Sequence, residues 1–128
     1  MLSATDDIER DIVLVIEDEP VLRLEVVDLC EEIGFDVIEA MDVEDAIAIL
    51  ETRPDIRIVY IDLDMPKGID GVKIAAAIRD RWPPIDIILT ASTLDAARVR
   101  LPVRAEFFAK PIDHSLVARM MRSMGSAP

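Results

Sequence analysis

Five short apolar runs, each followed by a stretch of helical periodicity, constrain this chain more than anything else in it. Ile12 to Ile16, Phe35 to Ile38, Ile58 to Ile61, Ile85 to Leu89 and Ala105 to Ala109 are rich in Ile and Val and mostly apolar at every position, the pattern of strands buried on both faces. Between them Leu22, Val26, Leu29 and Ile33 step by four, three and four, and Val43, Ala46, Ile47 and Leu50 make a similar stripe, so two amphipathic helices are predicted. Gly34 is a stop for the first, Asp42 a cap for the second, and Arg53-Pro54 its end. A third helix runs through Ile74, Ala75, Ile78 and Trp82 to Pro83-Pro84, and a short fourth is predicted over Leu94 to Arg100, closed by Pro102. A fifth follows Asp113, with Leu116, Val117, Met120, Met121 and Met124 as its inner stripe. Methionines so placed fill a core rather than hold a cofactor.

Strands alternating with helices imply an α/β fold, a doubly wound five-stranded parallel sheet covered on both sides, because parallel neighbours require right-handed crossovers. At 128 residues, 52% of them apolar, the chain has the size of one domain and ample material for a core. Ligands of such sheets gather outside the carboxyl ends of the strands. The unusual polar residues fall there: Glu17, Asp18 and Glu19 after the first strand, Asp62 and Asp64 after the third, Thr90 and Ser92 after the fourth, and Lys110 after the fifth.

Charge and composition narrow the partners. A net charge of −12, from 14 Lys and Arg against 26 Asp and Glu, opposes direct binding to nucleic acid. The one cysteine, Cys30, falls among Leu29 and Ile33 of the first helical stripe and reads as a buried thiol in a reducing compartment. The acidic start MLSATDDIERD is no signal peptide and no apolar run approaches bilayer length, so a cytoplasmic protein without membrane insertion is expected.

The carboxylates at the sheet edge suggest a chemistry. Oxygen ligands converging from two strand ends suit a hard cation such as Mg²⁺, which takes one or two carboxylates and keeps several waters. An Asp beside such a cation can attack a phosphoryl group and form an aspartyl phosphate. Phosphoryl transfer then calls for a hydroxyl and an ammonium to hold the phosphoryl oxygens, and Thr90 and Lys110 supply them. Blander readings stand beside each residue. Glu17 and Asp18 also suit the start of the helix that Pro20 begins, Asp62 a solvated strand end, Thr90 an ordinary strand residue and Lys110 a surface ammonium. Ser92 reads as a loop residue, and His114, the only histidine, has no Cys or second His near it in sequence.

Taken together, VLVIEDEP, YIDLDMPKGIDG, IILTAS and FFAKPID resemble the receiver domain of two-component response regulators, in order and spacing, from Ile12 to about Met124. The resemblance implies a flavodoxin-like sheet of order 2-1-3-4-5 with five helices, and one receiver domain over residues 1–128 with its core at about 11–124. It implies Asp62 as phosphoacceptor, Glu17 and Asp18 as Mg²⁺ ligands with Asp62 and the Asp64 backbone carbonyl, Thr90 and Lys110 on the phosphoryl group, Phe107 at the aromatic switch position, and a cis Lys110-Pro111 bond. Partners would be a histidine kinase or histidine phosphotransfer protein and a downstream protein target. Two departures stand out: Glu17-Asp18 replaces the commoner pair of aspartates, and PKGIDG carries one extra residue.

Two other functions fit parts of the pattern. A phosphatase of the haloacid dehalogenase kind also uses Asp-x-Asp, Thr and Lys, but its first motif normally ends the first strand rather than the third. A receiver-like scaffold that works without phosphorylation is the other. With no output domain expected after Met124, the output is expected to be a protein contact. Arg98, Arg100 and Arg104 mark a basic face that suits an acidic partner, or one that is merely solvated.

Overall fold

The computed structural model describes residues 11–64, 71–92 and 104–125. Its strands are β1 (Ile12–Ile16), β2 (Asp36–Ala40), β3 (Ile56–Asp62), β4 (Asp86–Ala91) and β5 (Ala105–Ala109), and its helices α1 (Pro20–Ile33), α2 (Val43–Thr52), α3 (Gly71–Arg81) and α4 (His114–Gly125). The sheet is parallel throughout in the order β2-β1-β3-β4-β5. This is the doubly wound flavodoxin-like arrangement. Four helices are described; the one predicted over Leu94 to Arg100 lies outside the described residues.

Two apolar layers hold the sheet. On one face Leu14, Ile16, Val59, Ile61, Ile87 and Leu89 meet Ala46 and Leu50 of α2 and Ala75 and Ile78 of α3. On the other, Val13, Val15, Ile58, Tyr60, Ile88 and Phe108 meet Leu29 and Cys30 of α1 and Val117 and Met121 of α4. Burial of each large aliphatic side chain contributes about 1.5–3 kcal/mol, so the two-sided strands β1, β3 and β4 are the main source of stability.

Helix ends follow local chemistry. Gly34 takes a left-handed φ of 116° and closes α1, with the Gly34 and Phe35 N–H groups both donating to the Cys30 carbonyl at 3.2 and 3.0 Å. Phe35, predicted as the first residue of a strand, therefore ends a helix instead, and β2 begins one residue later. Asp42 caps α2 by accepting the Asp45 N–H at 2.8 Å, and the Asp113 carboxylate accepts the Leu116 N–H at 3.1 Å at the start of α4. Leu116 itself is 42% exposed and does not join the inner stripe. Val117 and Met121 form that stripe, with Met120 and Met124 packed against it. Cys30 is fully buried and its thiol is pushed up to about 12, chiefly by burial, which leaves it unreactive.

Register carries the sheet directly to the polar edge. Ile16 stands opposite Ala40 and Ile61, Asp62 opposite Thr90, and Thr90 opposite Phe108.

Candidate functional site

Among the described residues, leaving tyrosine with the apolar set, three polar or charged side chains are buried: Glu17 at 3% exposure, Asp62 at 4% and Thr90 at 1%. All three lie at the carboxyl edge of the sheet. Burying carboxylates costs several kcal/mol each unless partners compensate, and the partners here are specific. Asp62 Oδ1 accepts the Asp64 N–H at 2.8 Å. Lys110 Nζ donates to Asp62 Oδ2 at 3.0 Å and lies 3.0 Å from Asp64 Oδ2 as well. The lysine is placed by its own backbone, because Lys110 N–H continues the ladder to the Ala91 carbonyl at 3.0 Å. The Lys110-Pro111 peptide is cis, as the resemblance implied.

The Asp64 side chain has a position that sequence left undefined. Its oxygens accept the Ser92 N–H at 3.2 and 3.0 Å while also facing Lys110. Burial raises the Asp64 carboxyl, but the hydrogen bonds from Lys110 and Ser92 outweigh it and leave the group below the usual range. Burial likewise lowers the Lys110 ammonium, and Asp64 and Asp62 more than reverse that. Asp64 thus occupies two donors beside the Asp62 carboxylate. Asp64→Asn removes that competition and one negative charge, and is expected to speed labelling of Asp62 by acetyl phosphate about fivefold, the equivalent of about 1 kcal/mol of screened repulsion. Labelling time courses followed by intact mass check this; an unchanged or slower rate would show that Asp64 does not compete.

The loop after β1 corrects the helix-cap reading of Glu17 and Asp18. Pro20 opens α1, which makes Glu19 the cap, and its carboxylate accepts the Val21 and Leu22 N–H groups at 3.2 and 2.8 Å. Glu17, two residues upstream, still belongs to the sheet edge: its N–H donates to the Ala40 carbonyl at 3.2 Å. Its Oε2 accepts the Glu19 N–H at 3.0 Å. Burial, reinforced by a hydrogen bond with Asp62 and by that residue's charge, pushes the Glu17 carboxyl up to about 8.

Two cavities flank Asp62. One of about 360 Å³ is lined by Glu17, Asp18, Glu19, Pro20, Leu22, Asp62 and Asp64. Among the described residues no three His, Cys, Asp or Glu side chains stand grouped so as to hold a metal ion by themselves, so any cation here would draw its other ligands from water and backbone oxygen. An oxygen-only, open donor set of this kind fits a hard cation that retains water, and fits Zn²⁺ poorly. The second cavity, of about 270 Å³, lies on the α1–α4 side and is lined by residues that include Tyr60, Asp62, Thr90, Lys110, Ile112 and His114. Tyr60 has its hydroxyl beside that of Thr90, and burial pushes it well above the usual phenol range. Sequence placed no role on Tyr60; its position two residues before Asp62 on β3 was the available signal. His114 is exposed at the start of α4.

Phe107 is half-buried on the α2–α3 face, opposite Leu89, whereas Thr90 faces the other side with Phe108 as its register partner. Arg98 and Arg100 lie outside the described residues. Arg104, the third residue of the expected basic face, donates through Nε to Asp86 at 3.1 Å. Its positive φ of 63° is accompanied by bonds from Ile87 N–H and Arg79 to its carbonyl.

The arrangement matches one family. The model of the response regulator receiver domain covers residues 13–122. The chain belongs to the response regulator receiver family. The receiver is similar to protein PilG of Pseudomonas aeruginosa, 31% identical over 105 residues that cover 77% of this chain and 76% of PilG. Among solved structures it resembles a response regulator receiver domain protein from Clostridium thermocellum, with a TM-score of 0.78 at 24% identity, covering 89% of this chain and 93% of that one. It also resembles a chain in the complex of the Saccharomyces cerevisiae histidine phosphotransfer protein Ypd1 with the receiver domain of Ssk1, with a TM-score of 0.74 at 16% identity, covering 91% and 90%. At these identities the solved structures speak for the fold. The receiver family replaces the haloacid dehalogenase reading, in keeping with an Asp-x-Asp that ends the third strand. No helix among the described residues is long and apolar enough to cross a membrane.

Proposed function

We propose that this receiver accepts a phosphoryl group on Asp62 from the phosphohistidine of a histidine kinase or histidine phosphotransfer protein, with Mg²⁺ held at Glu17, Asp18, Asp62 and the Asp64 carbonyl. The observation that carries the reading is the burial of Asp62 between the Lys110 ammonium, 3.0 Å away, and the acid-lined cavity of the β1 loop. A buried carboxylate with a fixed cation on one oxygen and an acid-lined cavity on its other side is placed for in-line attack on phosphorus. An Asp62 oxygen bonds to phosphorus as the phosphorus–nitrogen bond breaks, and that electron pair returns to the imidazole. When bound, Mg²⁺ neutralises charge developing on the phosphoryl oxygens. Lys110 transfers its ion pair from Asp62 to a phosphoryl oxygen, and Thr90 donates its hydroxyl to another. The Ypd1–Ssk1 likeness supports a phosphotransfer protein as the kind of partner.

The proposal extends to the readout, a phosphorylation-dependent contact with a downstream protein at a single receiver domain spanning residues 1–128, in the cytoplasm. Thr90 is the link. Its hydroxyl turns toward the phosphoryl group, and the change is passed to Phe107 through β4 and β5. A ligand shifts conformations only by its differential affinity for them. Thr90→Ala is therefore expected to leave labelling of Asp62 nearly intact while removing most of the chemical-shift response of Phe107 to beryllofluoride. A full Phe107 response in that variant would place the switch elsewhere. The direct test of the function is transfer of labelled phosphate from a purified histidine kinase to the chain with Mg²⁺. A chain that takes no label from any donor, acetyl phosphate included, would leave the phosphorylation-independent scaffold.

A further inference from the structure

We infer that Arg23 is a positioning residue for the Mg²⁺ site, pinning the peptide that joins Glu17 to Asp18 so that both carboxylates stay over the cavity beside Asp62. The inference rests on reading that cavity as the metal site. Arg23 is one turn into α1, where its N–H donates to the Glu19 carbonyl at 2.9 Å. From there its guanidinium reaches back. Nη1 donates to the Glu17 carbonyl at 2.9 Å, and Nε donates to Glu39 Oε1 on β2 at 3.1 Å.

Three features make this more than a surface ion pair. The Arg23 side chain is only 15% exposed while Glu39 is 52% exposed, so its charge-assisted bond to the Glu17 carbonyl is the part-buried one and the pair with Glu39 lies in solvent. The bond falls where the sheet runs out: Glu17 N–H makes the last contact with β2 at Ala40, and the chain then turns into α2 with Met41 N–H on the Asp45 carboxylate at 3.1 Å. The guanidinium takes the Glu17 carbonyl at that point. Finally, the peptide is planar, so fixing its oxygen fixes the plane linking the Cα atoms of Glu17 and Asp18. Glu19 caps the helix and Arg23 locks the turn before it. The rigid fork of Arg spans the loop after β1 and strand β2 in a way that the single ammonium of Lys does not.

Isothermal titration of Mg²⁺ into the full chain tests the role. Arg23→Ala is expected to weaken Mg²⁺ about tenfold, the scale of loss when a group supporting a metal ligand is removed, and Arg23→Lys to recover only part of it. In an Asp18→Ala background, where a ligand is already gone, the further cost of Arg23→Ala is expected to shrink to about twofold, because residues acting as one unit are not additive. Without metal, the amide shifts of Glu17, Asp18 and Glu19 are expected to move while those of β4 do not. Equal affinity in Arg23→Ala and parent overturns the role, as does an undiminished loss in the Asp18→Ala background, which marks general loosening. Should Arg23→Ala not fold, Arg23→Lys decides, and parent-like affinity there overturns the fork. A parent that binds no Mg²⁺ overturns the metal site itself, and this role with it.

Discussion

Asp62→Asn abolishes phosphoryl incorporation from acetyl phosphate and from a histidine kinase, while Asp36→Asn on the exposed start of β2 leaves it unchanged. The expectation is all-or-none because the amide is isosteric with the carboxylate but has no anionic oxygen to form the acyl phosphate bond. Its carbonyl still accepts the Asp64 N–H now on Oδ1, so the turn after β3 keeps its shape. What changes is charge. Lys110 keeps one carboxylate partner, Asp64, and Glu17 loses the neighbour whose hydrogen bond and charge help to raise it. The variant is thus expected to be at least as stable as the parent at pH 8 without metal, and this separates loss of the nucleophile from loss of the fold. Intact-mass labelling and a melting curve on the same sample read both. Label that persists in the folded variant would move the acceptor to another residue, and Asp64 would be examined first.

Much of this was legible in the sequence, and the reasons are physical. Strands β1, β3 and β4 are buried on both faces, so their apolar runs have no alternation to confuse with a helix, and the acids that interrupt them at Glu17 and Asp62 stand out. The edge was harder to bound. Phe35 is as apolar as any strand residue, yet its N–H closes α1 on Cys30. Leu116 fits a helical stripe by spacing, but the rotation of α4 that buries Val117 and Met121 leaves Leu116 in solvent. Within the site, residue types announced the carboxylates, the hydroxyl and the ammonium. They did not announce Arg23 or the side chain of Asp64. An arginine four residues after a capping glutamate looks like a solvated helix charge until its guanidinium is seen on the Glu17 carbonyl. An Asp two residues beyond the acceptor carries no sign of which cation it will find until β4 and β5 bring Ser92 and Lys110 to it. Both depend on contacts between elements, which periodicity does not encode.

Buried Glu17 is expected to make stability depend on pH in the direction opposite to ordinary acid denaturation. Glu17 in the folded chain titrates near 8 against an ordinary 4.5, so the folded state holds a proton that the unfolded chain releases. Its favourable contribution is complete below pH 4.5 and is lost as pH climbs to about 8. The opposing groups do not change in that window: Asp64, depressed below 3.8, contributes fully by pH 5, and Lys110, raised above 10.5, contributes until well beyond pH 8. Between pH 5 and 8.5 the metal-free receiver is therefore expected to lose on the order of 3 kcal/mol, or roughly 10 °C in Tm for a domain of this size. Millimolar Mg²⁺ is expected to restore most of the loss at pH 8.5 and little at pH 5, because cation and proton answer the same repulsion and a bound ligand stabilises only the state it binds. Glu17→Gln, which keeps the shape and removes the titration, is expected to flatten the profile and to blunt the response to Mg²⁺. Melting curves at the two pH values, with and without the cation, provide the check. A parent whose Tm rises from pH 5 to 8.5 without metal would mean that Glu17 is ionised in the folded state throughout, and that some other cation meets its charge.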